Sequence, residues 1–283
     1  METIKDFNEY EILSMNDGYK IERWNNIILK RPDPEIIWPD NEIKNIDAEY
    51  TRSNTGGGSW NIIANIPSSW QIHYKDLIFN LKLMGFKHTG LFPEQAYNWD
   101  LIRDVIKKQN RKVKVLNLFA YTGAASIAAL KEHAEVVHVD SSKGMIDWAK
   151  ENVKSNNLEN ENIRFLVDDV KKFVKREIRR GSKYDIIIMD PPSFGRGAKN
   201  EVWSIEKDLY ELVNDTASLL SNDPLLFIIN TYTTGLSMTV LENILYKTIK
   251  NSGNITSTEL GIKAKNELIL PCGITARWEK NGK

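Results

Sequence analysis

The chain has 283 residues, of which 41% are hydrophobic and 27% are charged, as in an ordinary soluble globular protein. Its 38 basic residues balance its 38 acidic residues, which argues against a protein that coats nucleic acid through bulk charge. The lone cysteine, Cys272, excludes an internal disulfide, and no apolar run reaches the length of a membrane span. Since the acidic, polar N-terminus also lacks the features of a secretory signal, we expect a cytoplasmic protein.

Residues 1–85 are predicted to form a small β-rich domain, a candidate for substrate recognition. Short alternating runs are separated by turn signals and predict antiparallel strands; they read YEIL, YKIERW, IILKR, AEYTR and WNIIA. The triplet Gly56-Gly57-Gly58 predicts a hairpin turn between the last two runs. The Asn, Trp and Tyr side chains of these strands suit either a ligand or simple packing.

Residues 86–283 are predicted to form a second domain, in which strands alternate with helices. A helix is expected to begin at Pro93, since proline is tolerated at a first helical position. The strands that follow are predicted at VKVLNLFA, VVHVD, IRFLVDD, YDIIIMD and PLLFIINTY, with a helix after each of them. ITSTELGIKA and ELILPCGITARW then predict a terminal hairpin that adds an antiparallel strand. This pattern is typical of a doubly wound α/β sheet with right-handed crossovers.

The turn after the first of these strands carries a single glycine, Gly123, followed by small residues. It lacks the crowded glycines of a pyrophosphate-binding turn. The turn therefore suits a ligand that packs an extended chain against backbone and has no phosphates there. A nicotinamide-dependent oxidoreductase is disfavoured for the same reason.

Acidic residues end the next two strands. Asp140 lies where an acid binds two ribose hydroxyls in dinucleotide folds, and Asp168 and Asp169 lie where an acid or its neighbouring backbone recognises an adenine amine. Each aspartate alone is equally well explained as the cap of the following helix. Glycine, acid and acid at three successive strand ends nevertheless form an arrangement suited to a ribonucleoside.

The segments NLFAYTGAAS, VVHVDSS, FLVDDV and IIIMDPPSFGRG together resemble class I S-adenosylmethionine-dependent methyltransferases. The resemblance is strongest to the branch of the bacterial large-subunit ribosomal RNA base methyltransferases and covers about residues 86–283. KHTGLFPEQAYNWD is similar to the loop and helix before that branch's first core strand. YEILSMNDGYKIERW and RPDPEIIW resemble the leader of one of its subgroups.

The resemblance implies a seven-stranded Rossmann-like sheet of order 3-2-1-4-5-7-6, with strand 7 antiparallel. It implies S-adenosylmethionine as cofactor, RNA as substrate and no metal. The implied cofactor residues divide by the part of the cofactor that they contact. The methionine part contacts Phe119, Ala120, Tyr121, Thr122 and Gly123; the ribose contacts Asp140; the adenine contacts Ser141, Asp169 and Asp168; and Phe92 and Gln95 close over the cofactor.

The run Asp190-Pro191-Pro192 follows a strand that reads as buried on both faces. Proline fixes φ and lacks an N–H, and a residue before proline stays extended. The corner is thus expected to present the Asp190 carboxylate and the carbonyls of Asp190 and Pro191 to a substrate N–H. Phe194 is expected to stack on a base or to pack in the core, and the glycines at 195 and 197 permit a mobile lid.

Methylation of cytosine C5 requires a cysteine nucleophile. By resemblance to RNA enzymes of this branch, the two positions that would carry it are Ser193 and Thr233 or an immediate neighbour of Thr233, and none of them is a cysteine. Cys272 lies in the terminal hairpin and is expected to be structural. The target atom is therefore predicted to be a base nitrogen, for which alignment and proximity are enough. A methyltransferase for a small molecule or a protein is the alternative.

Residues 171–183 carry seven basic side chains and one acidic one. On a helix, positions 172, 175, 176 and 179 share a face. The run is interpreted either as a stripe that binds RNA phosphates or as an ordinary solvated face.

Overall fold

A computed structural model describes residues 1–41, 43–53, 57–196, 202–233 and 235–281 of the chain. In chain order, the strands are β1 (Glu2–Thr3), β2 (Tyr10–Asn16), β3 (Tyr19–Trp24), β4 (Ile27–Pro32), β5 (Ala48–Arg52), β6 (Gly58–Ile62), β7 (Trp70–Tyr74), β8 (Leu77–Leu81), β9 (Lys114–Leu118), β10 (Glu135–Asp140), β11 (Ile163–Val167), β12 (Ile186–Met189), β13 (Phe194–Arg196), β14 (Val202–Ser204), β15 (Leu226–Thr231), β16 (Gly253–Lys263) and β17 (Ile269–Lys280). A short 3-10 helix, Pro93–Gln95, precedes the α-helices, which are α1 (Ala96–Lys107), α2 (Ala124–Leu130), α3 (Lys143–Ser155), α4 (Val170–Arg180), α5 (Ile205–Ala217) and α6 (Met238–Thr248).

The chain divides into two compact units. We call them the core unit, mainly Asn98–Glu259 and Gly273–Lys283, and the N-terminal unit, Glu2–Tyr97 and Leu260–Cys272. The predicted domain boundary near residue 85 stays a prediction. Within the part of the chain that the structure describes, no helix is both long and apolar enough to cross a membrane.

The large sheet has the order β1-β16-β17-β15-β12-β9-β10-β11. Counting from β9, this is the predicted order 3-2-1-4-5-7-6, and β17 pairs antiparallel with β15 as predicted. The central strands form because short runs such as Ile186–Met189 are apolar throughout and fully buried, as expected for parallel strands covered on both faces. An eighth strand that no sequence pattern indicated is β1, which has two residues and pairs parallel with β16.

Local sequence signals mark the starts of α3 and α4 and the end of α4. The Ser142 side chain accepts from the Met145 N–H at the start of α3, and Asp169 accepts from the Lys172 N–H at the start of α4. Gly181 ends α4 with φ 67°, a left-handed conformation that suits glycine. Pro93 opens the 3-10 turn that leads into α1, as the sequence predicted. The core between helices and sheet includes Leu118, Phe173, Leu209, Phe227 and Trp278.

The N-terminal unit contains a five-stranded sheet of order β2-β3-β4-β5-β6 and the hairpin β7–β8. The predicted strands are present, but β4 and β5 pair in parallel, with Leu29 opposite Ala48. The prediction of antiparallel strands was therefore wrong for this pair, because β4 and β5 run in the same direction and are not joined as a hairpin. β5 and β6 do pair as an antiparallel ribbon. Gly56 of the predicted turn lies outside the described residues.

Candidate functional site

The turn between β9 and α2 has an unusual backbone. Phe119, Tyr121 and Gly123 have φ values of 55°, 53° and 89°, so two non-glycine residues occupy the left-handed region. A Cβ at Gly123 would lie 3.1 Å from the Ala149 Cβ, which explains why the turn requires glycine there. The buried Asn152 side chain donates to the Thr122 carbonyl at 2.9 Å. This hydrogen bond fixes the turn against α3.

Asp140 ends β10 beside this turn. One carboxylate oxygen accepts from the Tyr121 N–H at 2.9 Å and the other from the Ser142 N–H at 2.8 Å. Burial raises the pKa of Asp140, and these two N–H donors oppose the rise. Each oxygen keeps a lone pair, so the half-buried carboxylate can still accept from hydroxyls. The neighbouring Ser141 is exposed.

The two predicted acids after β11 have different surroundings. Asp169 caps α4 through the Lys172 N–H, at 2.9 Å, which is the capping role that the sequence left open. The Asp168 carboxylate forms an ion pair with Arg176, and its backbone N–H donates to the Asp140 carbonyl at 3.0 Å. The Asp168 backbone therefore lies beside the end of β10. Recognition of an adenine amine by either residue stays a prediction.

The Asp190-Pro191-Pro192 corner follows β12 and lies next to the same turn. Met189 pairs with Leu118, and the Asp190 N–H donates to the Leu118 carbonyl at 3.4 Å. Asp190 is half-buried, Pro191 is buried and Pro192 is exposed. Three strand ends of the core unit thus bring Phe119 to Gly123, Asp140 and Asp190 into one region.

Beyond the corner, Ser193 and Thr233 meet. Their hydroxyl oxygens are 2.5 Å apart, so the two positions singled out in the sequence as candidates for a cysteine nucleophile are neighbours, and both carry hydroxyls. Phe194 is 57% exposed in β13, so it does not pack in the core. Gly197, part of the predicted mobile loop, lies outside the described residues.

Trp203 is a site residue that the sequence did not single out. It lies in β14, which pairs with β13 and places Trp203 opposite Gly195. Its ring lies 5.7 Å from the Phe119 ring, between centroids, and its indole N–H donates to the Pro192 carbonyl. Trp203 therefore links the β9–α2 turn to the proline corner. The signal that the sequence offered was a tryptophan in the connection between the proline corner and the next helix.

Phe92 and Gln95 belong to the N-terminal unit. Phe92 precedes the 3-10 turn and is half-buried, with its ring centroid 5.1 Å from that of His88, and Gln95 is buried within the turn. Their predicted role over the cofactor stays a prediction. Cys272 is half-buried in β17, and burial raises the pKa of its thiol.

The cations of α4 are largely paired. Lys171 pairs with Asp208 at 2.7 Å and Lys175 with Glu211 at 3.3 Å, both on α5. Arg176 pairs with Asp168, and Arg180 pairs with Glu177 at 2.8 Å. These contacts favour a solvated face joined to α5 over a stripe that is free for RNA phosphates.

The geometry of the core unit fits S-adenosylmethionine. The left-handed turn follows the first core strand, where an extended aminoacyl chain would pack, and Asp140 offers a carboxylate at the strand end where a ribose would lie. Phe119 to Gly123 and Asp140 would hold the cofactor in this arrangement.

Comparison with known proteins agrees with this geometry. A family model described as S-adenosylmethionine-dependent methyltransferase matches residues 53–245. A solved structure of a SAM-dependent methyltransferase from Agrobacterium tumefaciens is 32% identical, with a TM-score of 0.93 over 99% of this chain and 93% of that one. A structure from Streptococcus mutans shares the fold at 20% identity, with a TM-score of 0.75 over 97% of this chain and 76% of that one.

Curated relatives carry the name ribosomal RNA large subunit methyltransferase K/L. The protein from Shewanella frigidimarina is 37% identical over 53% of this chain, and that from Colwellia psychrerythraea is 26% identical over 69%. The matched regions cover 20% and 27% of those longer proteins. On the family model and the Agrobacterium structure, this chain belongs to the S-adenosylmethionine-dependent methyltransferases and is a methyltransferase enzyme.

Proposed function

We propose that this enzyme methylates a nitrogen of a base in RNA, with ribosomal RNA in the cytoplasm as the first candidate substrate. The relatives named as ribosomal RNA methyltransferases support RNA as the substrate class. The single observation that carries the choice of atom is the corner formed by Asp190, Pro191 and Pro192 beside the end of β9.

The corner suits a substrate with an N–H group. Prolines at 191 and 192 offer no N–H donors, so acceptors dominate this part of the surface. The Asp190 carboxylate and the Pro191 carbonyl can accept from an exocyclic amine or a ring N–H, which orients the nitrogen lone pair. The exposed ring of Phe194 can stack on the base. We assign Asp190, Pro191, Pro192 and Phe194 to substrate alignment.

When bound, S-adenosylmethionine would supply an activated methyl group on a positively charged sulfur, and the nitrogen held at the Asp190 corner would accept it. A nitrogen that held a proton releases it afterwards, to Asp190 or to water. The chain's own contribution is alignment, which is worth several kcal/mol when reacting atoms are held close to their reaction geometry.

Carbon methylation of a pyrimidine is disfavoured by the hydroxyls at Ser193 and Thr233. An alcohol is a far weaker nucleophile than a thiolate, and no adjacent base among the described residues is hydrogen-bonded to this pair. The only cysteine lies in the N-terminal unit, and burial keeps it in the thiol form by raising its pKa.

The test is transfer of a tritiated methyl group by the full chain to three substrate fractions: unmodified ribosomal RNA transcripts, cell protein and cell small molecules. Label is expected in RNA. Label confined to the protein or small-molecule fraction would overturn the RNA assignment and support the alternative substrate class. Asp223→Ala, at an exposed ion pair with Lys280, is the control that should leave the distribution unchanged.

A further inference from the structure

A row of rings runs along the N-terminal unit. Tyr50 of β5 lies opposite Trp60 of β6, with their ring centroids 5.4 Å apart in an edge-on arrangement. The Trp60 indole N–H donates to the Phe86 carbonyl at 3.3 Å. Phe86 is 42% exposed, its ring lies 5.7 Å from that of His88, and His88 lies 5.1 Å from Phe92. Partly exposed rings therefore line one side of residues 86–92.

Two cations flank this row. Arg52 is exposed and lies two residues after Tyr50 on β5, so both side chains project from the same face of the strand. Lys87 follows Phe86 and is half-buried, and its ammonium donates to the Pro32 carbonyl at 3.3 Å. Within the described residues, neither Arg52 nor Lys87 forms an ion pair.

The neighbouring charges do not neutralise these two cations. Arg31 makes two hydrogen bonds to Glu22, at 2.6 Å and 2.8 Å, and Lys20 lies 3.1 Å from Asp33. Each of those carboxylates thus already has a cation of its own. Burial lowers the pKa of Lys87 to about 8, and the charges of Lys20, Arg31 and Arg52 act in the same direction against that of Asp33.

We propose that Arg52, Trp60, Phe86, Lys87 and His88 form a surface, here called the 52–88 surface, that binds single-stranded RNA. The inference rests on the proposed function, because it names how the RNA substrate is held. Cations interleaved with partly exposed rings match what single-strand recognition uses, since phosphates meet the cations and bases stack on the rings. Burial lowers the pKa of His88 to about 3, so its ring is neutral at pH 7.

The proposal makes separate predictions for charge and for stacking. Arg52→Gln with Lys87→Gln should weaken binding of a fluorescent oligoadenylate of about 12 nucleotides by roughly tenfold, a length within the usual site sizes. The same pair should reduce the slope of log affinity against log salt by about 1.4, since each phosphate contact of a single strand contributes about 0.7. Phe86→Ala should weaken binding by about tenfold and leave the slope unchanged.

The control is Lys175→Gln with Arg179→Gln on α4, which removes the same charge from the core unit. This control should change the affinity for the oligonucleotide by less than about twofold and should leave the slope of log affinity against log salt unchanged. Equal losses from both double variants would mean that net charge alone drives binding and would overturn the proposal. Cofactor affinity, measured by calorimetry, should be the same in all variants, which shows that each one is folded.

Failure of this inference differs from failure of the proposed function. If the wild type methylates RNA and the variants bind and methylate RNA as well as it does, the 52–88 surface is not the RNA site and the function stands. If the wild type transfers methyl groups only to protein or small molecules, both proposals fall. Displacement of the oligonucleotide by polyglutamate, with no effect of Phe86→Ala, would assign the surface to an acidic protein instead.

Discussion

Two carboxylates, Glu22 in the N-terminal unit and Asp140 in the core unit, have opposite surroundings. In the N-terminal unit, Glu22 is fully buried and accepts from Arg31 and from the Tyr10 hydroxyl. Burial acts to raise the pKa of Glu22, but the charges of Arg31 and Lys20 and the hydrogen bonds lower it to about 2. In the core unit, Asp140 accepts from two backbone N–H groups, and its pKa is raised by burial.

The difference separates a structural carboxylate from one that is available to a ligand. A guanidinium that takes both oxygens, as Arg31 does with Glu22, leaves little capacity for another partner. Backbone N–H groups fix the direction of a carboxylate without neutralising it. The first arrangement should govern stability and the second should govern binding.

The largest effect is expected at the buried pair. Glu22→Gln should destabilise the N-terminal unit by about 3–5 kcal/mol, because it leaves the Arg31 charge buried without a counter-charge. Urea unfolding followed by tryptophan fluorescence measures this. Glu49→Gln, at the partly exposed pair with Lys30, should lose less than about 1 kcal/mol. Equal effects of the two substitutions would mean that burial of the Glu22–Arg31 pair adds nothing to its effect on stability.

Asp190 tests whether a carboxylate at the proline corner serves the reaction. Asp190→Ala should lower kcat by at least about a hundredfold, because the substrate nitrogen loses its acceptor, with little change in cofactor affinity. Single-turnover methyl transfer and calorimetry measure the two quantities. Normal turnover combined with weak cofactor binding would move Asp190 from the substrate to the cofactor.

Asp140 sharpens the comparison from the binding side. Asp140→Ala should weaken S-adenosylmethionine binding by about 1–3 kcal/mol, because the ribose hydroxyls lose an acceptor. Calorimetry measures the affinity, and thermal unfolding confirms that the variant folds. Asp147→Ala, on the exposed side of α3, is the control. Unchanged affinity in a folded Asp140 variant would remove this residue from the site.

Much of the core unit was predictable from sequence because its signals are local. The alternation of strands and helices follows from the buried apolar runs, and the site turn follows from Gly123 between such a run and a helix. The strand order was predicted only from the resemblance to class I methyltransferases. Asp169 showed the limit of that reasoning, because an acid after a strand suits both a cap and a ligand. The structure shows the cap.

The remaining features depend on tertiary contacts. The pairing of Lys171 and Lys175 with α5 depends on how two helices pack, so the sequence showed only a basic run. Trp203 joins Phe119 to Pro192 across separate segments, and no spacing rule predicts that contact. The hairpin β7–β8 was missed although Trp70–Tyr74 and Leu77–Leu81 alternate with period two. The two-residue turn at Lys75 and Asp76 gave little indication of this hairpin.

The last effect depends on pH and concerns a buried histidine of the core unit. Burial lowers the pKa of His138 to about 3 from an ordinary 6.5. Below pH 6.5 the unfolded chain therefore binds a proton that the folded chain does not, so the free energy of unfolding falls as pH drops from 6.5 towards 3. His138→Gln should reduce that slope by up to about 1.4 kcal/mol per pH unit. Urea unfolding across this range measures it, and the same change after His133→Gln, at an exposed site, would contradict it.

The central claim is that the enzyme aligns a base nitrogen of RNA at the Asp190 corner. The most direct test is to methylate unmodified ribosomal RNA with the wild type and with Asp190→Ala, digest the RNA and identify the methylated nucleosides by mass spectrometry. We predict a nitrogen-methylated nucleoside with the wild type and at most about a hundredth of it with the variant. A product methylated on pyrimidine C5, or equal yields from the two proteins, would contradict the account.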